Sequence, residues 1–406
     1  MSGPLSGIRV VELSTFVAGP VTARLLADMG ADVIKVESPA GDGWRNSGIG
    51  YNRERFSNDE NPVFDIYNTG KKLISLNLKS KEGSEVMHKL LSEADVFITN
   101  TRPAALQRLG LSYEELKDRY PQLIYAIVLG YGEKGPDAGK PAFDTTAFWS
   151  RSGFMRDMAP LTEDYYPMAT PSSVGDTATA YLLMGEISTA LFNRTRTGKG
   201  DYVSSTLYHN GVFCMGTMGI IAQKPYGKNF PVSRIDQGAP QGCYACADGE
   251  WIFFAPGNHA VNFPKYCRLI GRIDLMDDPI MKPENCWANR HIIYPIFRDA
   301  FLTNPAAYWV EQAALEDLPL VRMAHFSDVS EDEQAWANGF VENVQFPSGN
   351  VDVMPTSPIE MASAAPPATQ PVAAVGAHTA AILRSLGYTD EQVVAMLESG
   401  AAVAAE

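Results

Sequence analysis

The most chemically suggestive feature of the chain is an aspartate that directly follows a glycine at the start of a long helical stretch. The run Ser172-Ser173-Val174-Gly175-Asp176 precedes apolar Leu182, Leu183, Ile187 and Leu191, and the helix is expected to exit at Gly198-Lys199-Gly200. Two roles are open to Asp176. As an N-cap, its side chain would satisfy orphan backbone amides. As a functional group, it would be kept ionised by those amides and the helix dipole, with Gly175 leaving room for a substrate. An ionised aspartate is a useful nucleophile toward thioesters, because the mixed anhydride it forms stays high in acyl-transfer energy.

Other chemistries lack their residues. The turn after the first predicted strand, Ser14-Thr15-Phe16-Val17-Ala18-Gly19-Pro20, carries one glycine rather than the spaced glycines of a dinucleotide loop. There is no Walker-type loop and no G-x-S-x-G elbow. The six histidines have no metal-ligand spacing, so no catalytic metal is expected. Cys243-Tyr244-Ala245-Cys246 is a lone C-x-x-C, read as two buried thiols rather than a zinc or redox pair.

Elements must hold Asp176 in place, and their pattern is regular. Residues 8–13 read as a strand, Pro20 opens a helix with Val21, Leu25 and Met29 on one face, and Gly30 stops it. A strand at 33–36 completes a β-α-β unit. Further strands are expected at 73–78, 96–98 and 123–129, with a helix at about 84–92 and a capping box at Ser112 and Glu115. That alternation predicts an α/β fold with a mostly parallel sheet covered on both faces. Residues 1–222 would form the first part of a large domain, and 223–328, rich in Pro and aromatics, a smaller α+β domain. Residues 329–406 would be a Pro-rich extended connector and a return to the large domain, with a helix at about 377–386 and a frayed tail at 401–406.

The chain has 406 residues, 33 Lys+Arg and 47 Asp+Glu, a formal net charge of −14. That balance argues against nucleic acid or an anionic membrane as the main partner, since both need an excess of positive charge. With an odd five cysteines, no basic-then-apolar start and no apolar run of spanning length, the protein is expected in the cytoplasm.

Several segments together resemble the family III CoA-transferases, which include formyl-CoA, carnitine and bile-acid CoA-transferases. They are Gly30-Ala-Asp-Val-Ile-Lys-Val-Glu37, Asn100-Thr-Arg-Pro103, Leu106-x-Arg108-Leu-Gly110 and Gly130-Tyr-Gly-Glu-Lys-Gly-Pro136. Thr197-Gly-Lys-Gly200, Gly376-x-His378-Thr379 and Leu386-Gly387 complete the set, in the family's order and across nearly the whole chain. The resemblance implies a large Rossmann-like domain plus a smaller one, in an interlocked homodimer. It implies that Asp176 is the catalytic nucleophile. By the same resemblance Val17, Ala18, Leu76, Lys79, Asn100, Thr101, Arg102 and Arg108 contact CoA, whose phosphates suit Lys and Arg. The substrates implied are an acyl-CoA thioester and a small carboxylic acid, with no permanently bound cofactor and no metal.

Departures narrow this reading. Ser38 stands where the oxalate-specific formyl-CoA transferase has a basic residue, and Val17 where it has Gln. The segment from Asp236 to Gly242 holds two glycines in place of that enzyme's glycine run. Oxalate is therefore not the expected acceptor. In the α-methylacyl-CoA racemase branch a His precedes the Asp after the Gly-Pro turn, whereas here Phe143 precedes Asp144. Racemisation needs a proton shuttle on each face of the α-carbon, and that partner is missing. Residues 330–338, Asp59-Glu60-Asn61-Pro62 and the Gly130–Pro136 turn resemble the 2-hydroxyacyl-CoA transferases of anaerobic amino-acid fermentation. An apolar or aromatic 2-hydroxy acid would suit Phe16, Val17, Phe143 and Phe148. The alternatives are a racemase-type isomerase and a non-catalytic CoA-binding protein in which Asp176 is only a cap.

Overall fold

The computed structural model describes residues 3–46, 60–170, 173–364 and 366–405. Asp59 and Ser172 of the motifs above lie outside the described residues. The chain divides into two compact units, Met1–Ser152 with Thr170–Thr217 and Asp332–Glu406, and Gly153–Ala169 with Met218–Glu331.

In the first unit the strands are β1 (Arg9–Leu13), β2 (Asp32–Glu37), β3 (Lys72–Leu76), β4 (Val96–Thr99), β5 (Ile124–Leu129) and β6 (Tyr202–Thr206). β7 (Gly242–Ala245), β8 (Trp251–Phe254) and β9 (Leu320–Arg322) belong to the second unit. The chain then returns with β10 (Val341–Gln345), β11 (Val351–Pro355) and β12 (Ala402–Val403). The large sheet runs β12-β3-β2-β1-β4-β5-β6, parallel except for β12. Its central strands are apolar on both faces, as a covered parallel sheet requires: Val10, Val11, Phe97 and Ile98 are fully buried.

The strand order reverses between β1 and β4, which pair with each other in parallel: from β1 the order runs to β2 and β3 on one side, and from β4 to β5 and β6 on the other. At such a switch point the loops leaving the carboxyl ends of two neighbouring strands diverge and leave a crevice. That crevice is where the site lies.

The helices in order are α1 (Ala18–Asp28), α2 (Pro62–Asn68), α3 (Lys81–Ser92), α4 (Pro103–Arg108), α5 (Tyr113–Leu116), α6 (Phe154–Asp157), α7 (Val174–Thr197) and α8 (Leu207–Cys214). The capping box at Ser112 and Glu115 forms as expected. α1 is buried all round, so its Arg24 and Asp28 pair with each other at 3.3 Å instead of facing water. α7 is the longest, with 24 residues, and stops at Gly198 in the left-handed conformation.

The second unit packs the antiparallel sheet β7-β8-β9 against the helices His259–Leu269, Arg290–Phe301 and Ala306–Leu315. Its core is aromatic, built on Tyr244, Phe254, Tyr266, Phe297 and Phe301. All five cysteines are free, and Cys246 is buried while Cys243 is half-buried.

Three features differ from the sequence reading. Residues 153–169 belong to the second unit, where Leu161 N donates to Val232 O at 2.9 Å, so the large domain is interrupted before α7. The stretch read as an extended connector begins as the hairpin β10-β11, because Val344 and Phe346 bury against Met354. The tail is not frayed: Ala401 and Ala402 are buried, and β12 pairs antiparallel with β3.

Candidate active site

The loop from β1 to α1 is held in a strained form. Phe16 has φ +64°, a conformation disfavoured for a bulky residue that persists only when its surroundings fix it. Its amide donates to Asp42 Oδ1 at 3.0 Å. Asn100, just after β4, clamps the neighbouring residue from across the crevice. Its Oδ1 accepts from Thr15 N at 3.0 Å, and its Nδ2 donates to Thr15 O at 2.6 Å.

Beneath this loop lies a buried ionic cluster. Lys35 Nζ sits 2.8 Å from Glu12 Oε1 and 3.0 Å from Asp42 Oδ2, and Lys71 Nζ sits 2.8 Å from Glu12 Oε2. Lys71 also donates to Pro20 O at 2.8 Å, which ties the cluster to the first turn of α1. Burial alone would push Glu12 up, but the two lysines outweigh it and bring its pKa down to about 2. Burial pulls Lys35 down, and Glu12, Asp42 and Glu37 reverse this to about 12. For Lys71 burial wins, and its pKa falls to about 8. Two acids, Glu12 and Asp42, thus face two lysines in the interior.

A cavity of about 320 Å³ opens above this floor at the switch point. Thr15, Phe16, Val17, Ala18, Asn100, Thr101, Arg102, Lys140, Phe143 and Asp176 are among the residues around it. The cavity therefore meets the first turns of both α1 and α7. Arg102 continues into an adjoining hollow of about 420 Å³ with Arg108, Gly132, Glu133 and Gly139. Among the described residues neither arginine has an ion-pair partner, so two cations are left for an anionic ligand.

Asp176 is not the N-cap. Ser173 holds that position with φ +79°, and Asp176 is the third residue of the helix. It is half-buried, and its carboxylate has no hydrogen-bond partner among the described residues. Nor is it held low by the helix: burial first, and the charge of Asp144 second, push its pKa up to about 7. Gly175 also serves otherwise than expected. A Cβ there would lie 2.2 Å from Asp144 Oδ1 and 2.3 Å from Phe148 Cγ, so the glycine makes room for these residues rather than for a substrate.

Asp144 and Tyr67 were not singled out for the site from sequence. Asp144 is 5% exposed and begins a π-helical turn, Asp144–Ser150, a distortion often found beside functional sites. Burial raises its pKa, with partial relief from the amides of Ser173, Gly175 and Asp176 and from Trp149. Tyr67 of α2 bonds the Ser173 side chain near both aspartates, and burial raises its hydroxyl pKa. The nearest sequence signal was the Phe143-Asp144 pair, read for its missing histidine rather than for its aspartate.

The apolar residues divide. Phe16 and Phe143 stand edge-to-face at the cavity, 5.6 Å between centroids, with Val17 beside them. Phe148 is buried against Gly175. Of the expected CoA contacts, Val17, Ala18, Asn100, Thr101 and Arg102 surround the cavity and Arg108 the adjoining hollow. Leu76 does not join them: its side chain is buried in the core and its strand is paired on both sides, to β2 and β12. Lys79 is exposed just beyond the end of β3, away from both hollows.

A switch-point crevice that brings an unpaired carboxylate and free arginines together belongs to an α/β enzyme handling an anionic cofactor-like substrate. The chain belongs to CoA-transferase family III, whose family model matches residues 5–379. It is a CoA-transferase, and enzymes of this kind use CoA thioesters as substrates. It is 39% identical over 392 residues to the (R)-2-hydroxy-4-methylpentanoate CoA-transferase of Clostridioides difficile, covering 96% of this chain and 97% of that one. To the cinnamoyl-CoA:phenyllactate CoA-transferase of Clostridium sporogenes it is 34% identical, covering 96% and 94%. The crystal structure of a CAIB/BAIF family protein from Brucella suis matches with a TM-score of 0.80 at 28% identity, covering 95% of this chain and 100% of that one. Among the described residues no group of His, Cys, Asp or Glu could hold a metal, and no helix is long and apolar enough to cross a membrane.

Proposed function

We propose that the protein moves CoA from an acyl- or enoyl-CoA to a free 2-hydroxy acid with an apolar or aromatic side chain, using Asp176 as nucleophile. The observation that carries this reading is the carboxylate of Asp176, half-buried and without a hydrogen-bond partner among the described residues, in the switch-point cavity. In the first step Asp176 attacks the thioester carbonyl, the C–S bond breaks, and CoA leaves as its thiolate. The thiolate then attacks the aspartyl carbonyl of the mixed anhydride, which releases the donor acid and leaves an aspartyl-CoA thioester. The acceptor carboxylate repeats the first step on that thioester, and the returning thiolate takes the acceptor's acyl group. Each step keeps an activated carbonyl, so transfer needs no hydrolysis provided water stays out.

The remaining groups have assigned parts in this reading. Arg102 and Arg108 meet the phosphates of CoA, while Val17, Ala18, Asn100 and Thr101 shape the entry beside them. The uncapped first turn of α1, which starts at Val17 and Ala18, offers amides near the oxyanion that forms on attack. The Phe16–Phe143 pair suits an apolar acyl group, in line with the acids in the names of the two relatives.

Incubation with acyl-CoA and hydroxylamine, followed by peptide mass spectrometry, tests the covalent step. The modification should fall on the peptide containing Asp176, and turnover with no modification there would refute the reading. A panel of hydroxy, enoic and dicarboxylic acids tests the acceptor class, with the apolar 2-hydroxy acids expected to give the highest kcat/KM.

The assembly proposed is a homodimer whose chains interlock. Its supports are the family and the long run from 356 to 378, which has neither helix nor strand among its described residues. A monomer at sub-micromolar concentration in a mass measurement would contradict it, because threaded chains separate only by unfolding. A cytoplasmic location is also proposed, supported by the five free thiols.

A further inference from the structure

We propose that Asp144 is a positioning residue for Asp176: its buried carboxylate wedges against the first turn of α7, fixes the backbone from which Asp176 projects, and acts on the nucleophile by its charge. The inference rests on the reading of Asp176 as the nucleophile.

The geometry is unusual for a structural acid. Asp144 is buried, and among the described residues it has no cationic partner. Its Oδ2 accepts from Trp149 Nε1 at 3.3 Å, whereas Oδ1 has no hydrogen-bond partner. That free oxygen faces Gly175, and the lack of a Cβ at this one position is what admits it. The amides of Ser173, Gly175 and Asp176 lie close enough to favour its ionised form without making a well-formed bond to Oδ1. Asp144 thus sets its carboxylate beside the first-turn amides from outside the helix, on a first turn whose Ser173 is itself strained. An uncompensated buried carboxylate costs stability, and such a cost persists where function requires it.

The consequence for chemistry follows from the like charge. A carboxylate that ionises reluctantly beside another is a stronger base and a better nucleophile once ionised. The pKa of Asp176, raised to about 7 by burial and by Asp144, agrees with this. The other titratable groups around the pair are Tyr67 on α2, and Lys140 and Arg102 across the cavity. Lys140 is 2.5 Å from Asp137, which leaves it paired.

The test is the pH dependence of kcat/KM in Asp144→Asn, with hydroxylamine labelling of Asp176 in both proteins. The amide preserves shape, so acyl-CoA binding should stay near wild type while kcat falls on the order of 10–100-fold. The acid limb, near pH 7 in the wild type, should move down by about one pH unit once the like charge is gone. A purely structural role would lower activity without moving the limb, and that outcome overturns the proposal while labelling at Asp176 leaves the nucleophile reading standing. Wild-type turnover without label at Asp176 overturns both. If Asp144→Asn does not fold, the coupling is read from the other side. In Asp176→Asn the Asp144 carboxyl, followed by difference infrared titration, should titrate at lower pH than in the wild type, and an unchanged titration overturns the proposal.

Discussion

Two groups of buried acids lie within one unit, and the protein treats them in opposite ways. Under the β1–α1 loop, Glu12 and Asp42 face Lys35 and Lys71, and Glu12 is held at a pKa of about 2. At the start of α7, Asp144 and Asp176 lie together with no ion-pair partner among the described residues, and Asp176 rises to about 7. Burial acts in the same direction on both groups. The presence or absence of a lysine decides the outcome. The compensated cluster fixes a loop, and the uncompensated pair holds the carboxylate that the proposed mechanism uses as its nucleophile.

The comparison breaks most visibly if Asp176 is neutralised. Asp176→Asn should reduce transfer about 10⁴-fold or more, about 5 kcal/mol of transition-state stabilisation, in an acyl-exchange assay. Near-normal exchange in the folded variant would remove the distinction between the two groups. The compensated cluster should break through stability instead. Lys35→Met leaves two acids facing one cation in the interior and should cost about 3–5 kcal/mol in urea unfolding. A loss below about 1 kcal/mol would mean that the cluster is not held by charge.

Smaller effects sharpen the contrast. Gly175→Ala drives a methyl group into Asp144 and Phe148, and should cost about 3 kcal/mol, the upper end for overpacking. The mildest prediction concerns the pH dependence of stability. The folded pKa of Asp176, about 7, lies above its unfolded value of 3.8, so the folded state holds the proton more tightly. Wild-type stability therefore falls as pH rises from about 4 to about 7 and then levels off. Asp176→Asn lacks this loss. At pH 8 it should be more stable than wild type by about 2 kcal/mol, after allowance for solvent screening, and at pH 4 equally stable. Equal gains at both pH values would mean the effect is packing rather than charge.

Much of this architecture was legible in the sequence. The β-α-β opening, the parallel strands and the helix leading to Gly198 follow from apolar periodicity and from turn residues, which act locally. What escaped was set by distant contacts. Ala402 has little strand preference of its own, and becomes a strand because β3 offers it an open edge. The hairpin β10-β11 was masked by the prolines that follow it. Within the site, Asp176 and the segments around it were legible from the family pattern. Its actual place, third in the helix rather than at the cap, and its neighbour Asp144, which lies 32 positions earlier and packs against Gly175, are visible only in three dimensions.

The edge strand has a consequence for how the protein is made. β12 covers β3, and two contacts reinforce that closure: Leu73 N donates to His378 Nδ1 at 3.0 Å, and Ser75 N donates to Thr379 Oγ1 at 3.1 Å, 304 residues apart in sequence. A ribosome adding about 5–20 residues per second spends about 15–60 s between the two. Throughout that interval the nascent chain carries β3 with its outer row of backbone groups unpaired, a template for any other extended chain nearby. The strand that closes this edge of the sheet is thus translated long after the strand it covers, and newly made protein is exposed to mispairing until it emerges.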